Sequence, residues 1–541
     1  MKRFARLFFN LDHTNRSSEK VSLLAKFFKQ ETPNDVAWAV YLLSGKKLAK
    51  KLNMAKLKEW IQAYAGIPSW LFQECYATTG DLAETITLLV PKTKNNQIVE
   101  ENSDLSGWIE NFMIPLVDKP EELQKEEIFS VWRTLSHLEI FIFLKIITGG
   151  FRVGVQAKLV YRALEKAFGV RTEIISMRAM GKWHPSTRFF NSLIDPEIHE
   201  LPGDKPLPFY LASPLVIKEP NLTDQLGLVS DWLIEPKWDG IRGQLIHTPK
   251  QTYLWSRGEE IISQSFPEIV EDLHTWGDSF ILDGEILPGT PQNIGTFATL
   301  QKRIGRKTAG KKLRQTNPAF FMAFDCLYYN QKDLRTLKQT DRRTILQSIL
   351  EKVLHSCLHL SPHLLFSEWD AVAKAIKSSR EKRIEGFLLK RKTGIYKNGR
   401  VRGDWWKWKI HPLTLDLVLV YAQAGHGRRS GLFTDYTFAV WKERKLVPLT
   451  KAYSGLNDQE IVQLDRWIKQ NTLKKFGPSR QVVAEHVFEI AFEGVQVSKR
   501  HQSGIALRFP RIQRWRKDKT IDHADNIEQV KAMVPKIGGN L

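Results

Sequence analysis

The sequence predicts a multidomain chain, all-α at its start, mixed α/β in its middle and a small β-barrel at its end. Three observations carry that prediction. Apolar residues recur at the helical period up to about Pro202, with no strand-rich run between them. A proline-rich stretch, PGDKPLPFYLASPLVIKEP, then breaks the pattern. After His411-Pro412 the texture changes again, to alternating or continuous apolar segments separated by Gly-rich turns. A length of 541 residues suits roughly three domains.

The helical elements are readable one by one. Val21, Leu24, Ala25 and Phe28 fall on one face. Thr32 offers an N-cap, Pro33 the first helical position, Asp35 a first-turn acid and Gly45 a terminator. FIFLKIITGG runs apolar into Gly149-Gly150, and the next segment, FRVGVQAKLVYRALEKAFG, puts Leu159, Ala163 and Ala167 on one stripe. Beyond the proline-rich stretch, WLIEPKWDG, IRGQLIH, TYLWSRG, FILDGEIL, FFMAFDCLYY and GFLLKRK read as strands, with TDRRTILQSILEKVL as a helix among them. TLDLVLVYAQ, YTFAVWKERKLVPL and VVAEHVFEIAF suggest the barrel.

Composition is ordinary for a globular chain, at 42% hydrophobic and 26% charged residues, but the charge balance is not. Eighty Lys and Arg against fifty-nine Asp and Glu leave +21, which suits a polyanionic partner because neutralised phosphates release counterions. Three scattered cysteines, Cys75, Cys326 and Cys357, exclude a disulfide framework or a four-cysteine zinc site and fit a reducing cytoplasm. No apolar run approaches the roughly 20 residues that span a bilayer. In MKRFARLFFNLDH, Arg6 splits the apolar stretch and Asn10, Asp12 and His13 end it, unlike a signal peptide. A cytoplasmic location is expected, nucleoid-associated in a bacterium or archaeon.

The strongest short signal is EPKWDGIRGQ, holding Glu235, Lys237, Asp239, Gly240 and Arg242. A nucleophilic lysine must shed a proton, and a reference pKa of about 10.4 leaves only about one in a few thousand neutral at pH 7. Burial or a nearby cation such as Arg242 has to assist. In LDGE, alternation puts Ile281, Asp283 and Glu285 on one strand face, so the two acids need water, cations or a metal. In WWKWK, Trp405, Lys407 and Lys409 point one way and Trp406 and Trp408 the other. Two lysines converging on a buried face call for an anion between them. Arg402, just upstream, is the third cation. In EGFLLKR a regular strand puts Glu385 and Lys390 on opposite faces, which favours Glu385 as the site residue.

These strings, in this order, resemble the motif set of the covalent nucleotidyltransferases, and the whole chain resembles the three-domain ATP-dependent DNA ligases of archaea and bacteria. EPKWDGIRGQ looks like the motif of the adenylated lysine, here Lys237. SRGEE, LDGE, AFDCLY, EGFLLKR and WWKWK look like the nucleotide and metal motifs. LRFPRIQRWRKDK looks like the basic motif of the C-terminal domain. GDLAETITLLVP and LKIITGGFRVGV look like the N-terminal DNA-binding domain.

The resemblance implies an all-α DNA-binding domain over 1–205, an α/β adenylation domain over 206–411 and an OB-fold barrel over 412–541. It assigns nucleotide contacts to Glu235, Arg242, Arg257, Glu285, Phe324, Arg402, Lys407 and Lys409, with Phe324 stacking on the purine and Lys390 touching phosphate. Metal binding falls to Glu285 and Glu385. DNA or pyrophosphate contacts fall to Arg152, Arg511, Arg514, Arg516 and Lys519, within a cationic run that also holds Arg508 and Lys517.

The implied cofactors are ATP and Mg²⁺, with Mn²⁺ an alternative. The implied partner is nicked duplex DNA, handled by a monomer that other repair proteins recruit in repair, replication and recombination. Rival readings are an RNA ligase or capping-type enzyme, against which the long helical region argues, and an inactive DNA-binding scaffold, against which intact Lys237, Glu285, Glu385 and Lys409 argue. An NAD-dependent ligase is disfavoured because its four-cysteine zinc module is missing.

Overall fold

The computed structural model describes the chain except for residues 92–103, 152, 197–204, 218–221, 272, 274–275, 305, 307, 354, 426–430, 478, 499–500 and 535–541. It divides into two compact units, one of Tyr161–His411 and one of Met1–Val160 with Pro412–Leu541. Among the described residues no helix is long and apolar enough to cross a membrane. The three cysteines are free thiols.

Tyr161–His411 is built on β1 (Ser213–Pro214), β2 (Trp232–Trp238), β3 (Ile241–Thr248), β4 (Gln251–Ser256), β5 (Phe280–Thr290), β6 (Asn293–Ile294), β7 (Ala319–Tyr329), β8 (Lys332–Asp333), β9 (Leu358–Leu360), β10 (Ile384–Arg391) and β11 (Trp405–Lys409). One sheet runs β1-β11-β10-β2, and the other β4-β3-β5-β7-β8 with β6 beside β5 and β9 beside β7. The tight link from β2 to β3 depends on Gly240. A Cβ there would stand 2.2 Å from the Ile286 carbonyl oxygen, so only glycine lets the turn lie against β5. Strand alternation in β5 sends Phe280, Leu282 and Ile286 into one core with Leu245, Phe321 and Leu346. Ile281 goes to the other side, with Phe324, Tyr396 and Trp405. The predicted helix is present at Gln339–Lys352 and buries Leu346 and Ile349.

In the other unit the regular elements among the described residues of Met1–Val160 are all helices. The helix Ser17–Gln30 buries the predicted Val21, Leu24, Ala25 and Phe28. The helix Pro33–Leu43 starts as read, with the Thr32 side chain accepting from the Asp35 amide. The helix His137–Ile147 opens on a capping box of Ser136 and Glu139. One stripe differs from expectation. The helix Ala157–Phe168 buries Val160, Ala163 and Leu164, whereas Leu159 and Ala167 are only half-buried. Spacing alone did not fix which side was covered.

Pro412–Leu541 contributes β12 (Leu413–Ala424), β13 (Phe433–Lys442), β14 (Lys445–Ala452), β15 (Thr472–Phe476), β16 (Ser479–Val482), β17 (Val487–Phe492), β18 (Gly494–Val497), β19 (Ile505–Arg508) and β20 (Arg511–Trp515). Long β12 pairs with β13 along one edge and divides its other edge between β17 and β16. β18 and β19 form a separate pair. A single apolar core, including Leu417, Phe438, Ile468 and Phe488, lies behind these strands.

Candidate active site

The lysine string sits on one face of the β1-β11-β10-β2 sheet. Glu235 and Lys237 alternate along β2 and so share a side. On β11 the same alternation turns Trp405, Lys407 and Lys409 one way, and Trp406 and Trp408 into a separate apolar cluster. β10 lies between them. Lys237 Nζ is 2.5 Å from Glu385 Oε2, and Lys409 Nζ is 3.1 Å from the same oxygen.

Glu385 and Lys390 do not fall on opposite faces. Between Ile384 and Phe387 the register of β10 against β2 slips by one residue. Gly386, at φ +128°, makes the slip possible: a Cβ there would stand 2.2 Å from the Trp408 carbonyl oxygen. The bulge reverses the parity beyond it, so both residues join Glu235 and Lys237 on one face.

Lys390 is fully enclosed. Its Nζ lies 3.0 Å from Glu235 Oε2, donates to the Phe324 carbonyl at 2.7 Å, and stands over the rings of Phe324 and Trp405. The other Glu235 oxygen accepts from Arg343 at 2.7 Å, and Arg343 also donates to the Ser361 carbonyl. Glu235 is thus a buried carboxylate with two cationic partners.

The second sheet supplies the facing groups. Arg242 on β3 makes a two-pronged contact with Asp283 on β5, at 3.1 and 2.7 Å, and its guanidinium lies over Phe209, Phe324 and Trp405. Tyr396 donates to Asp283 at 2.6 Å and accepts from the Tyr210 amide at 3.0 Å. Asp283 and Ile281 share a face, as alternation requires, and Glu285 follows at the position paired with Arg242. Phe324 is buried, with Lys390 Nζ 4.5 Å and the Arg242 guanidinium 5.4 Å from the centre of its ring.

Charge and burial compete throughout the site. Burial alone would raise the Glu385 carboxyl, but Lys237 and Lys409 outweigh it and hold it below its ordinary value. Glu285 goes the other way. Desolvation pushes it up to about 7, opposed by Lys237 and Arg242 and reinforced by Glu385 and Asp239. Burial lowers Lys407, helped by Arg400, Lys409 and Lys237. In the enclosed pair, burial raises Glu235 and lowers Lys390, and each charge counters the shift of the other. Tyr396 is raised far above the usual phenol by burial and then by Asp283. Among the described residues no group of three or more His, Cys, Asp or Glu gathers to hold a metal.

Lys237, Glu235, Arg242, Glu285, Phe324, Glu385, Lys407 and Lys409 are therefore brought together. Arg257 and Arg402 are exposed, Arg257 just past β4 and Arg402 in the turn before β11. Arg400, which the sequence reading passed over, is the arginine felt at Lys407. Arg343 and Tyr396 were also missed. No periodic signal marks either, although an aromatic in the polar loop KTGIYKNGR was a hint.

Arg152 lies outside the described residues. The C-terminal basic run is laced to acids of its own unit. Arg511 pairs with Glu493 at 3.2 Å and Arg514 with Glu489 at 3.1 Å, while Arg516 and Lys519 share Asp416 at 2.9 and 2.5 Å.

A helical region, a two-sheet domain with a lysine face, and a C-terminal β region define a nucleotidyltransferase-like multidomain protein. Three family models match in order: "DNA ligase N terminus" over residues 1–165, "ATP dependent DNA ligase domain" over 221–409 and "ATP dependent DNA ligase C terminal region" over 429–519. A "Probable DNA ligase" of Koribacter versatilis is 28% identical, covering 96% of this chain and 94% of its own. A "DNA ligase" of Thermococcus fumicolans is 24% identical, covering 98% and 97%. A solved structure named Pmar-Lig_Pre shares the fold at a TM-score of 0.61, with 15% identity over 95% of this chain and 99% of that one. The chain belongs to the ATP-dependent DNA ligase family, whose typical mechanism is lysine adenylation.

Proposed function

We propose that Lys237 is the adenylated residue and that the β2–β10–β11 face holds the triphosphate. In this reading Lys237 Nζ, once deprotonated, attacks the α-phosphorus of ATP. An N–P bond forms, the P–O bond to pyrophosphate breaks, and Lys407 and Lys409 offset charge on the phosphates. AMP then passes to the 5′-phosphate at a nick. The neighbouring 3′-hydroxyl attacks that phosphate, closing a phosphodiester and releasing AMP. Glu235, Arg242 and Phe324 would seat the nucleoside. Arg257 and Arg402 would reach it from their turns.

Glu285 and Glu385 both face Lys237 and offer hard oxygen donors. Two carboxylates plus substrate phosphates suit Mg²⁺, with Mn²⁺ an alternative. Such an ion supplies charge neutralisation at the phosphates when bound. Supporting the wider reading are the helical texture, the shared β-core and the basic run. On that support we assign an all-α DNA-binding domain to 1–205, the adenylation domain to 206–411 and an OB-fold to 412–541. Arg152, Arg511, Arg514, Arg516 and Lys519 would contact DNA or pyrophosphate. The chain would act as a cytoplasmic monomer recruited by other repair proteins.

One observation carries the proposal: Lys237 shares the Glu385 carboxylate with Lys409, and Glu285 faces the same lysine. Incubation with ATP and intact-mass detection should show one AMP adduct. Lys237→Ala should lose the adduct and nick sealing while keeping DNA binding. An adduct on Lys237→Ala would overturn the assignment.

A further inference from the structure

Between Glu285 and Asp325 the sequence holds no acidic residue, yet seven cations fall within Lys302–Arg314. This connection between β6 and β7 belongs to none of the motif strings. It leaves the sheet beside the strand bearing Glu385, since Arg383 donates to the Ile294 carbonyl. Several of its described residues are also anchored. Arg303 is fully buried, donating from Nε and Nη2 to the Ser265 carbonyl at 3.0 and 2.7 Å and from Nη1 to the Asn317 carbonyl at 3.0 Å. The same guanidinium pairs with Glu268 and lies over the Phe266 ring. Ser265 Oγ donates to the Arg306 carbonyl and the Ala309 amide donates to the Gln264 carbonyl.

From this anchored backbone Lys302, Arg306, Lys311 and Lys312 stand exposed, with no acidic partner among the described residues. Of the other described cations, Arg303 pairs with Glu268 and Arg314 with Glu271, the latter at 2.6 Å. A surface run that served solubility would mix both signs of charge and would need no buried arginine beneath it. Four unneutralised cations beside these anchored residues repel one another and favour a ligand that brings regularly spaced anions.

We infer that the exposed cations Lys302, Arg306, Lys311 and Lys312 form a phosphate-binding surface for the duplex flanking the nick, an inference that rests on the DNA-ligase reading. The contact is to backbone phosphate, positioning the duplex without reading sequence. Each phosphate neutralised steepens the dependence of log affinity on log salt by about 0.9.

The test is fluorescence anisotropy with a labelled nicked duplex over a salt series, comparing wild type with a variant carrying Lys302→Gln, Arg306→Gln, Lys311→Gln and Lys312→Gln. Self-adenylation reports the fold. The expected result is a slope shallower by roughly 3 to 4 with adduct formation unchanged. Lys311→Gln and Lys312→Gln alone, both at exposed positions, should each remove about one unit and keep the inference testable if the fourfold variant unfolds. Variants that retain the wild-type slope while the wild type seals nicks overturn the surface. A wild type that neither binds nor seals nicked DNA overturns the underlying reading instead.

Discussion

Replacing Lys390 by methionine removes the ammonium and keeps most of the apolar stem. Glu235 is 1% exposed and would lose its partner at 3.0 Å, leaving Arg343 on its other oxygen. The Phe324 carbonyl would lose its donor as well. Removing one partner from a buried ion pair costs about 3–5 kcal/mol, and the remaining Arg343 places this case near the lower end, about 3 kcal/mol. In a unit of this size that lowers the thermal midpoint by roughly 6–12 °C, readable by circular dichroism without ligand.

The companion Glu235→Leu/Lys390→Met variant should be less unstable than the sum of its single changes by about 2 kcal/mol, because no uncompensated carboxylate remains. Arg343 keeps the Ser361 carbonyl and partial access to water. A Lys390→Met chain within about 0.5 kcal/mol of wild type, or strictly additive changes, would refute the claim that Lys390 neutralises Glu235.

Two further outcomes are expected. Gly386→Ala puts a Cβ 2.2 Å from the Trp408 carbonyl oxygen at a φ of +128°, so the bulge must shift. We expect a loss of at least about 2 kcal/mol in urea unfolding and a strong fall in adduct formation as Glu385 leaves the lysine face. Wild-type stability in this region would show the bulge to be dispensable.

Glu285, partly exposed, keeps its proton up to about pH 7 when folded, while an unfolded Glu loses it near 4.3. The folded chain binds the extra proton between those values, so this group's contribution to stability falls as pH rises through that window. Glu285→Gln should therefore exceed wild type by about 1–2 kcal/mol above pH 7, after a discount for solvent screening, and match it below about pH 4. Thermal midpoints across pH would expose a flat difference, which would count against the raised carboxyl.

The face carrying Trp405, Lys407 and Lys409 was legible because a period of two is all that a regular strand needs. The cap at Thr32 was legible for a similar local reason. Glu385 and Lys390 were misread because one inserted residue reverses every side chain after it. The Glu385-Gly386 pair was the available hint, since glycine inside a strand often marks a bulge. Arg343 meets Glu235 across 108 residues, and nothing local to TDRR encodes such a pairing. Arg400 rather than Arg402 neighbours Lys407 because both lie where the chain turns and strand alternation does not apply.

These contacts separate the charges of the site into two kinds. Arg242 with Asp283, and Glu235 with Lys390 and Arg343, are enclosed or nearly so, with hydrogen bonds on both partners. Breaking one strands a charge in a poorly solvated place, so their first effect is on folding and on the placing of Phe324 and Trp405. Lys237, Lys409, Glu385 and Glu285 are more open: Lys237 is 25% and Lys409 34% exposed at the side chain. Water and ligand anions can replace their mutual contacts at modest cost. A carboxylate shared by two lysines can release either one when phosphates arrive, whereas a bidentate guanidinium pair cannot. The lysine that must change partners during the reaction thus stands among the exchangeable charges, framed by pairs that hold their geometry.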